Sequence, residues 1–189
     1  ERDLSIRMIL VNSNDLIIYT DKDADPYTNS DGSEMLEQNQ RALDQQIFPP
    51  NYEIGHVFST GGGGIADLNV SCNDNRKAHG VSGHLNPVGD PFAIDYVAHE
   101  LGHQWGAGHT FNGDAGNCFN PNRFSSSAYE PGSGITVMGY AGICSSQDLA
   151  RNSIDTFHVK SIEEILNYVN NGGGGCSVNV ATGNVVPVV

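Results

Sequence analysis

Three histidines and one glutamate lie within the eleven-residue stretch HELGHQWGAGH, which begins at His99. His99 and His103 are four residues apart, so on a helix their imidazoles lie on one face and can share a metal ion. Glu100 follows the first histidine, and its carboxylate can reach a water on that metal without being a ligand. Gly106 allows the chain to leave the helix and to bring back His109 as a third nitrogen ligand. Three imidazoles with one open position are typical of a catalytic zinc site.

A helix must position the first two histidines, and the sequence predicts one over FAIDYVAHELGHQW, residues 92–105. Asp90 is a suitable N-cap for this helix, and Pro91 suits its first turn. The stretch 106–153 is rich in Gly, Ser, Asn and Pro and has no clear period, which predicts mostly irregular chain. A last helix is predicted over VKSIEEILNYVNN, residues 159–171, ended by the glycine that follows it.

The first half of the chain predicts a small sheet and one helix. Alternating and β-branched stretches indicate the strands, while Ser33 as N-cap and Pro49 as a stop bound the helix. The predicted strands are 4–11, 16–19, 52–59, 65–72 and a short edge strand at 80–85, and the helix covers 34–48. A chain of 189 residues that is 38% hydrophobic is long enough for one domain with a core.

The bulk composition excludes several partners. The formal net charge is −13 and the nine Lys and Arg are scattered, so we expect no nucleic acid and no anionic membrane surface as partner. The acidity favours solubility, and cationic substrates stay open. No apolar run approaches the ~18 residues of a membrane span. Because the chain begins at Glu1, we expect a processed or excised piece that has other segments of a longer precursor as partners.

Four cysteines form no CxxC pair, which favours two disulfides and an extracellular, secreted protein over a Cys-ligated zinc site. The residues alone leave three pairings open.

The stretch HELGHQWGAGH resembles the long zinc motif of the metzincin metallopeptidases, and Met138 in TVMGY is similar to the methionine turn beneath their zinc. The order of elements most resembles the adamalysin or reprolysin-like branch, especially its bacterial secreted enzymes. The resemblance implies an α+β catalytic domain over 1–176. A twisted mixed β-sheet and the active-site helix would form an upper subdomain, about 1–105. An irregular lower subdomain, about 106–176, would end in a helix, followed by a linker or extension at 177–189.

The activity implied by the resemblance is zinc-dependent endopeptidase cleavage of protein or peptide substrates, with Glu100 as general base. An extended substrate would pair with the edge strand, whose residues are Gly80, Val81, Ser82, Gly83, His84 and Leu85. The alternative is a catalytically inactive, zinc-holding module for binding or adhesion. Glu100 argues against that alternative, because a purely structural site has no use for a carboxylate beside an open metal position.

The resemblance also implies crosslinks and a second metal. It selects the nested pairing of disulfides, Cys72 with Cys176 and Cys118 with Cys144. It suggests a calcium site in which Glu53 and Asn179 are the candidate ligands, and the alternative reading of these two residues is an ordinary surface pair.

Three features depart from the adamalysin pattern. Thr110 follows the third histidine, where adamalysins typically carry Asp. Tyr140 follows Met138 by two residues, as in astacins and serralysins, whose tyrosine can approach the zinc or the developing oxyanion. Tyr140 is therefore either catalytic or a buried structural phenol. The first strand and long helix of the family fold, which would precede 4–11, have no counterpart in the sequence.

Overall fold

Three short strands form one mixed sheet in the computed structural model, which describes residues 3–61 and 63–181. The strands are β1 (Val57–Ser59), β2 (Gly63–Ala66) and β3 (Gly80–Gly83), and their order in the sheet is β1-β3-β2. β1 runs parallel to β3, whereas β2 runs antiparallel to it. Together with the helices described below, this sheet confirms the predicted α+β fold class.

β3 is the central strand, so the prediction of an edge strand at 80–85 is wrong. Val81 pairs with Val57 on one side and with Ile65 on the other, which leaves no free backbone edge on β3. All four residues of β3 are buried, whereas most of β2 is exposed. Leu85 lies beyond the strand and is 85% exposed. Within the described residues, the edges of the sheet are therefore β1 and β2.

The strands predicted at 4–11 and 16–19 are absent from the described chain. Residues 5–11 are irregular, and Asn14–Ile17 forms a 3₁₀ turn. Met8, Ile9 and Leu10 are 55%, 75% and 81% exposed. An extended segment becomes a strand only when a neighbour takes up its backbone hydrogen bonds, and no described segment does so here.

The strands predicted at 52–59 and 65–72 form only in part. Pairing with β3 is limited to Val57–Ser59 and Gly63–Ala66. After Ala66 the chain turns, and Asn69 and Cys72 adopt positive φ angles of 59° and 61°, which a strand does not contain.

The helix α1 (Gly32–Gln46) packs on the sheet through Met35 and Leu36, which form one buried cluster with Val81. Its N-cap is Asp31 and not Ser33, because the Asp31 carboxylate accepts hydrogen bonds from the backbone N–H groups of residues 33 and 34. The helix ends before Pro49, as predicted.

The chain from 106 to 153 is mostly irregular, as predicted, apart from two single 3₁₀ turns at Gly116–Cys118 and Ser145–Gln147 and an isolated β-bridge between Phe111 and Glu130. The last helix, α4 (Val159–Tyr168), is followed by a turn over Val169–Gly173, in which Asn171 and Gly172 have non-helical backbone angles. Its buried Ile165 belongs to the cluster that contains Trp105 and Met138. This cluster places α4 against the segments that carry the zinc motif and the methionine turn.

Two disulfides join distant parts of the chain, Cys72 to Cys176 and Cys118 to Cys144, and this is the nested pairing that the resemblance implied. In the described chain, no helix has the length and apolar character needed to cross a membrane. Of the predicted extension at 177–189, the part from 182 onwards lies outside the described residues.

Candidate active site

The helix that carries HELGHQ consists of three consecutive parts. It begins with α2 (Gly89–Phe92), passes through a π-helical turn at Ala93–Ala98, and ends with α3 (His99–Gln104). The predicted helix started three residues later, and its proposed cap Asp90 lies inside the first turn instead. A π-helical stretch inside a helix is uncommon and often accompanies a functional site. Here it directly precedes the zinc motif.

The chain leaves α3 at Gly106, as the motif predicted. Gly106 has a φ of 101°, a conformation that favours glycine, and a Cβ at this position would collide with the side chain of Asn69. The N–H of Gly106 donates to the carbonyl of His103 at 2.7 Å, which closes the last turn of the helix. The exit turns the chain so that His109 returns to the first two histidines.

The three histidines converge through their Nε2 atoms. The Nε2 of His109 lies 3.0 Å from that of His103 and 3.2 Å from that of His99. Each Nδ1 lies 2.6–2.7 Å from a backbone carbonyl, which can only accept, so each Nδ1 carries the ring proton. The carbonyls belong to Val137, Ala107 and Asn122. Each Nε2 consequently has an unprotonated lone pair.

This donor set fits a metal ion. Burial, followed by the charge of the neighbouring histidine, lowers the pKa of each imidazole from 6.5 to about 3, so all three rings are neutral at pH 7. Neutral rings that are all protonated on Nδ1 cannot donate hydrogen bonds to one another through Nε2. A cation shared by the three lone pairs satisfies them, and three imidazole nitrogens suit zinc. Among the described residues, these three histidines are the only group of at least three His, Cys, Asp or Glu placed to hold a metal.

Glu100 lies beside the histidines but outside their cluster. Its side chain is buried, with 6% exposed, and Oε2 has no hydrogen-bond partner. Burial raises the pKa of Glu100 from 4.5 to about 8. A Cβ built at Gly64 would collide with the Glu100 carboxylate, so β2 passes directly over this group. An unpaired buried carboxylate next to a metal-binding cluster is costly to keep and is typical of a catalytic group.

Met138 packs against α3 at Gly102. It is fully buried in a tight turn, which is closed by a 2.8 Å hydrogen bond from Gly139 N–H to the carbonyl of Thr136. A Cβ at Gly102 would lie 2.5 Å from the Met138 sulfur. Gly102 lies between His99 and His103 in the sequence, so the methionine packs against the helical turn that carries both histidines.

Tyr140 lies at the same cluster. Its ring centroid is 4.5 Å from that of His109 and 5.6 Å from that of His99. Burial, with a further contribution from Glu100, raises its pKa above the ordinary value of 10. The ring therefore packs on the histidines as a neutral phenol, and a catalytic role for its hydroxyl stays a prediction.

Two further predictions concern a calcium site and the strand that would hold the substrate. Glu53 and Asn179 are both exposed, and a calcium site formed by them stays a prediction. The substrate strand predicted at 80–85 has no free edge, whereas β2 combines a free edge with contact to Glu100. Glycines are depleted in strands, so the run at 61–64 indicated a loop and concealed the start of β2.

Convergent imidazoles beside a buried carboxylate have the make-up of a metallopeptidase centre. A sequence model of the family described as Metallo-peptidase family M12B Reprolysin-like matches residues 1–169. Because this match covers most of the chain, the protein belongs to that family of metallopeptidases, which are hydrolases. A search of curated proteins found none that matches the chain.

Proposed function

We propose that the protein is a zinc-dependent endopeptidase that acts outside the cell. The proposal rests on the convergence of three neutral Nε2 atoms, in which that of His109 lies 3.0 Å and 3.2 Å from the other two, next to the unpaired Oε2 of Glu100. The family match supports a peptidase, and the donor set supports zinc as its metal.

His99, His103 and His109 would hold the zinc ion through Nε2. When bound, zinc lowers the pKa of a coordinated water and polarises a carbonyl as a Lewis acid. The three backbone carbonyls that accept from the Nδ1 atoms keep each ring in the tautomer that leaves Nε2 free. The protein thus prepares the ligand set before any metal arrives.

Glu100 would move the proton. As the attacking water approaches the scissile carbonyl, Oε2 accepts its proton, and the same oxygen then donates that proton to the leaving amine. Burial makes the carboxylate a stronger base than it is in water, since the pKa is raised to about 8. A bound cation lowers this value towards neutrality, where the group exchanges protons most readily.

β2 would hold the substrate in place of the strand at 80–85. The outer edge of β2 has no partner strand among the described residues, and Gly63, Gly64 and Ile65 are exposed. An extended peptide can add to such an edge through backbone hydrogen bonds, which carry little sequence preference. Since the edge recognises backbone and no terminal charge, we infer cleavage within chains.

Two disulfides support action in an oxidising, extracellular compartment. An inactive zinc-holding module is less well supported, because such a module gains nothing from the cost of burying Glu100 without a partner.

The experiment is cleavage of casein or gelatin by the purified chain, with a chelator and then with added zinc. We expect cleavage that the chelator abolishes and that zinc restores. A synthetic peptide blocked at both ends distinguishes internal cleavage from removal of terminal residues. A chain that holds zinc and leaves all of these substrates intact would contradict the proposal and favour the binding module.

A further inference from the structure

Glu130 is a buried carboxylate that belongs neither to the metal cluster nor to the surface. Only 7% of it is exposed, and its two oxygens accept four hydrogen bonds. Oε2 accepts from the hydroxyls of Thr110 and Thr136, each at 2.5 Å. Oε1 accepts from the backbone N–H groups of Ile135 and Thr136, at 2.9 Å and 3.1 Å. Every donor comes from one of two segments, the one that follows His109 and the one that leads to Met138.

The backbone of Glu130 pairs with the first of these segments, the one that follows His109. Its N–H donates to the carbonyl of Thr110 at 2.8 Å, and its carbonyl accepts from the N–H of Asn112, also at 2.8 Å. Thr110 in turn donates its N–H to the carbonyl of Met138 at 3.0 Å. The residue after the third histidine is therefore attached to the methionine turn directly, and a second time through Glu130.

His109 depends on such contacts more than the other two histidines do. His99 and His103 are fixed relative to each other by the hydrogen bonds of α3, whereas His109 lies in irregular chain. Its ring is held by a hydrogen bond to the carbonyl of Asn122 and by packing against three aromatic rings, those of Phe111, Phe124 and Tyr140. The position of the third nitrogen therefore depends on contacts between irregular segments, which include the hydrogen bonds of the adjacent residue, Thr110.

We propose that Glu130 is a positioning residue of the metal centre, which locks the His109 segment to the Met138 turn and so fixes the third nitrogen against the two helical ones. The proposal rests on the proposed zinc site and deepens it. Glu130 touches neither metal nor substrate. Its effect passes through Thr110 to His109, and through Thr136 to the turn behind α3.

The test uses variants of the full chain that cut this connection at different points. Thr110→Val removes the hydroxyl that joins the His109 segment to Glu130 while it preserves the size of the side chain. Glu130→Ala removes the whole carboxylate. Glu130→Gln keeps an oxygen for the two backbone N–H groups and an amide that can donate to both threonine hydroxyls. Tyr52→Phe is the matched control, because Tyr52 donates a partly buried hydrogen bond to Asp44 at 2.7 Å and packs with Leu43 of α1, outside the metal site.

Each variant is assayed for zinc affinity by competition with a chelator and for the visible spectrum of bound cobalt(II), which reports ligand geometry where d¹⁰ zinc is silent. We expect Thr110→Val and Glu130→Ala to bind zinc about 10- to 100-fold more weakly and to alter the cobalt spectrum. Glu130→Gln should retain the zinc affinity and the cobalt spectrum of the wild type. Tyr52→Phe should lower the melting temperature and leave affinity and spectrum unchanged.

Wild-type affinity and an unchanged cobalt spectrum in Thr110→Val would overturn the inference and leave Glu130 an ordinary structural anchor. The Thr110→Val result tests the inference even if Glu130→Ala fails to fold, because Thr110→Val retains the carboxylate and its three other donors. A wild-type chain that binds no zinc would instead overturn the proposed function itself, and with it the inference.

Discussion

Glu100→Gln should change how the stability of the metal-free protein depends on pH. Burial raises the pKa of Glu100 in the folded chain to about 8, whereas its value in the unfolded chain is near 4.5. Between these values the folded state retains a proton that the unfolded state has lost. The contribution of Glu100 to stability is therefore complete below pH 4.5 and is lost as the pH rises through 8. Glutamine has no proton to lose, so the variant lacks this dependence.

The magnitude follows from the difference between the two pKa values. At about 1.4 kcal/mol per pH unit, the interval from 4.5 to about 8 has an upper bound of roughly 5 kcal/mol. Relaxation around the charge and entry of water reduce this cost, so we expect the pH-dependent difference in the free energy of unfolding to be about 1–3 kcal/mol. Glutamine resembles the protonated acid in shape, so constant differences between the two side chains cancel when two pH values are compared.

The assay is urea unfolding of the disulfide-intact wild type and Glu100→Gln, in a chelator, at pH 5 and pH 9. The free energy of unfolding of the variant should rise relative to wild type on going to pH 9. Glu34→Gln, which changes an exposed carboxylate on α1, measures the effect of a surface charge. A stability difference between wild type and Glu100→Gln that is equal at both pH values would show that burial does not hold the carboxylate in its neutral form.

Three further changes test the scaffold of the site. Serine at both Cys72 and Cys176, which are 104 residues apart, should lower the free energy of unfolding by about 5 kcal/mol in denaturant titration, because the unfolded chain regains the entropy of a long loop. A loss below about 1 kcal/mol would contradict that estimate. Phe111→Ala should lower the free energy of unfolding by about 3–5 kcal/mol and weaken zinc binding, because this fully buried ring stacks on His109 at 5.2 Å between centroids. An unchanged melting temperature would be inconsistent with the burial of Phe111. Asp31→Ala should lower the free energy of unfolding by about 0.5–2 kcal/mol, because α1 loses its N-cap, and the rate of hydrolysis should be unchanged. An equal loss of stability in Ser33→Ala would contradict the assignment of Asp31 as the cap.

The zinc motif could be predicted from the sequence because its geometry is local. The spacing of His99 and His103 is a property of one helical turn, and the exit at Gly106 is a property of one residue. The nested disulfides required more, since spacing alone left three pairings open and the resemblance had to select one.

Strand order could not be predicted in the same way, because it depends on which segments meet in space. Nothing in GVSG shows that β3 is paired on both sides. The glycines that concealed β2 have a physical role in the sheet: a Cβ at Gly83 would collide with the backbone carbonyl of Gly61, so the two segments approach this closely only without side chains. Glu130 is a similar case, since it lies in irregular chain and its importance arises from four donors brought together by the fold.

In the proposed mechanism, Glu100 performs the proton transfer in a zinc centre formed by His99, His103 and His109. The rate of peptide hydrolysis by wild type and Glu100→Gln, compared at equal and measured zinc content, tests this role. We predict one zinc ion per chain in both proteins and hydrolysis that is at least about 100-fold slower in the variant. Equal rates at equal zinc content would contradict the assignment of Glu100 as the base.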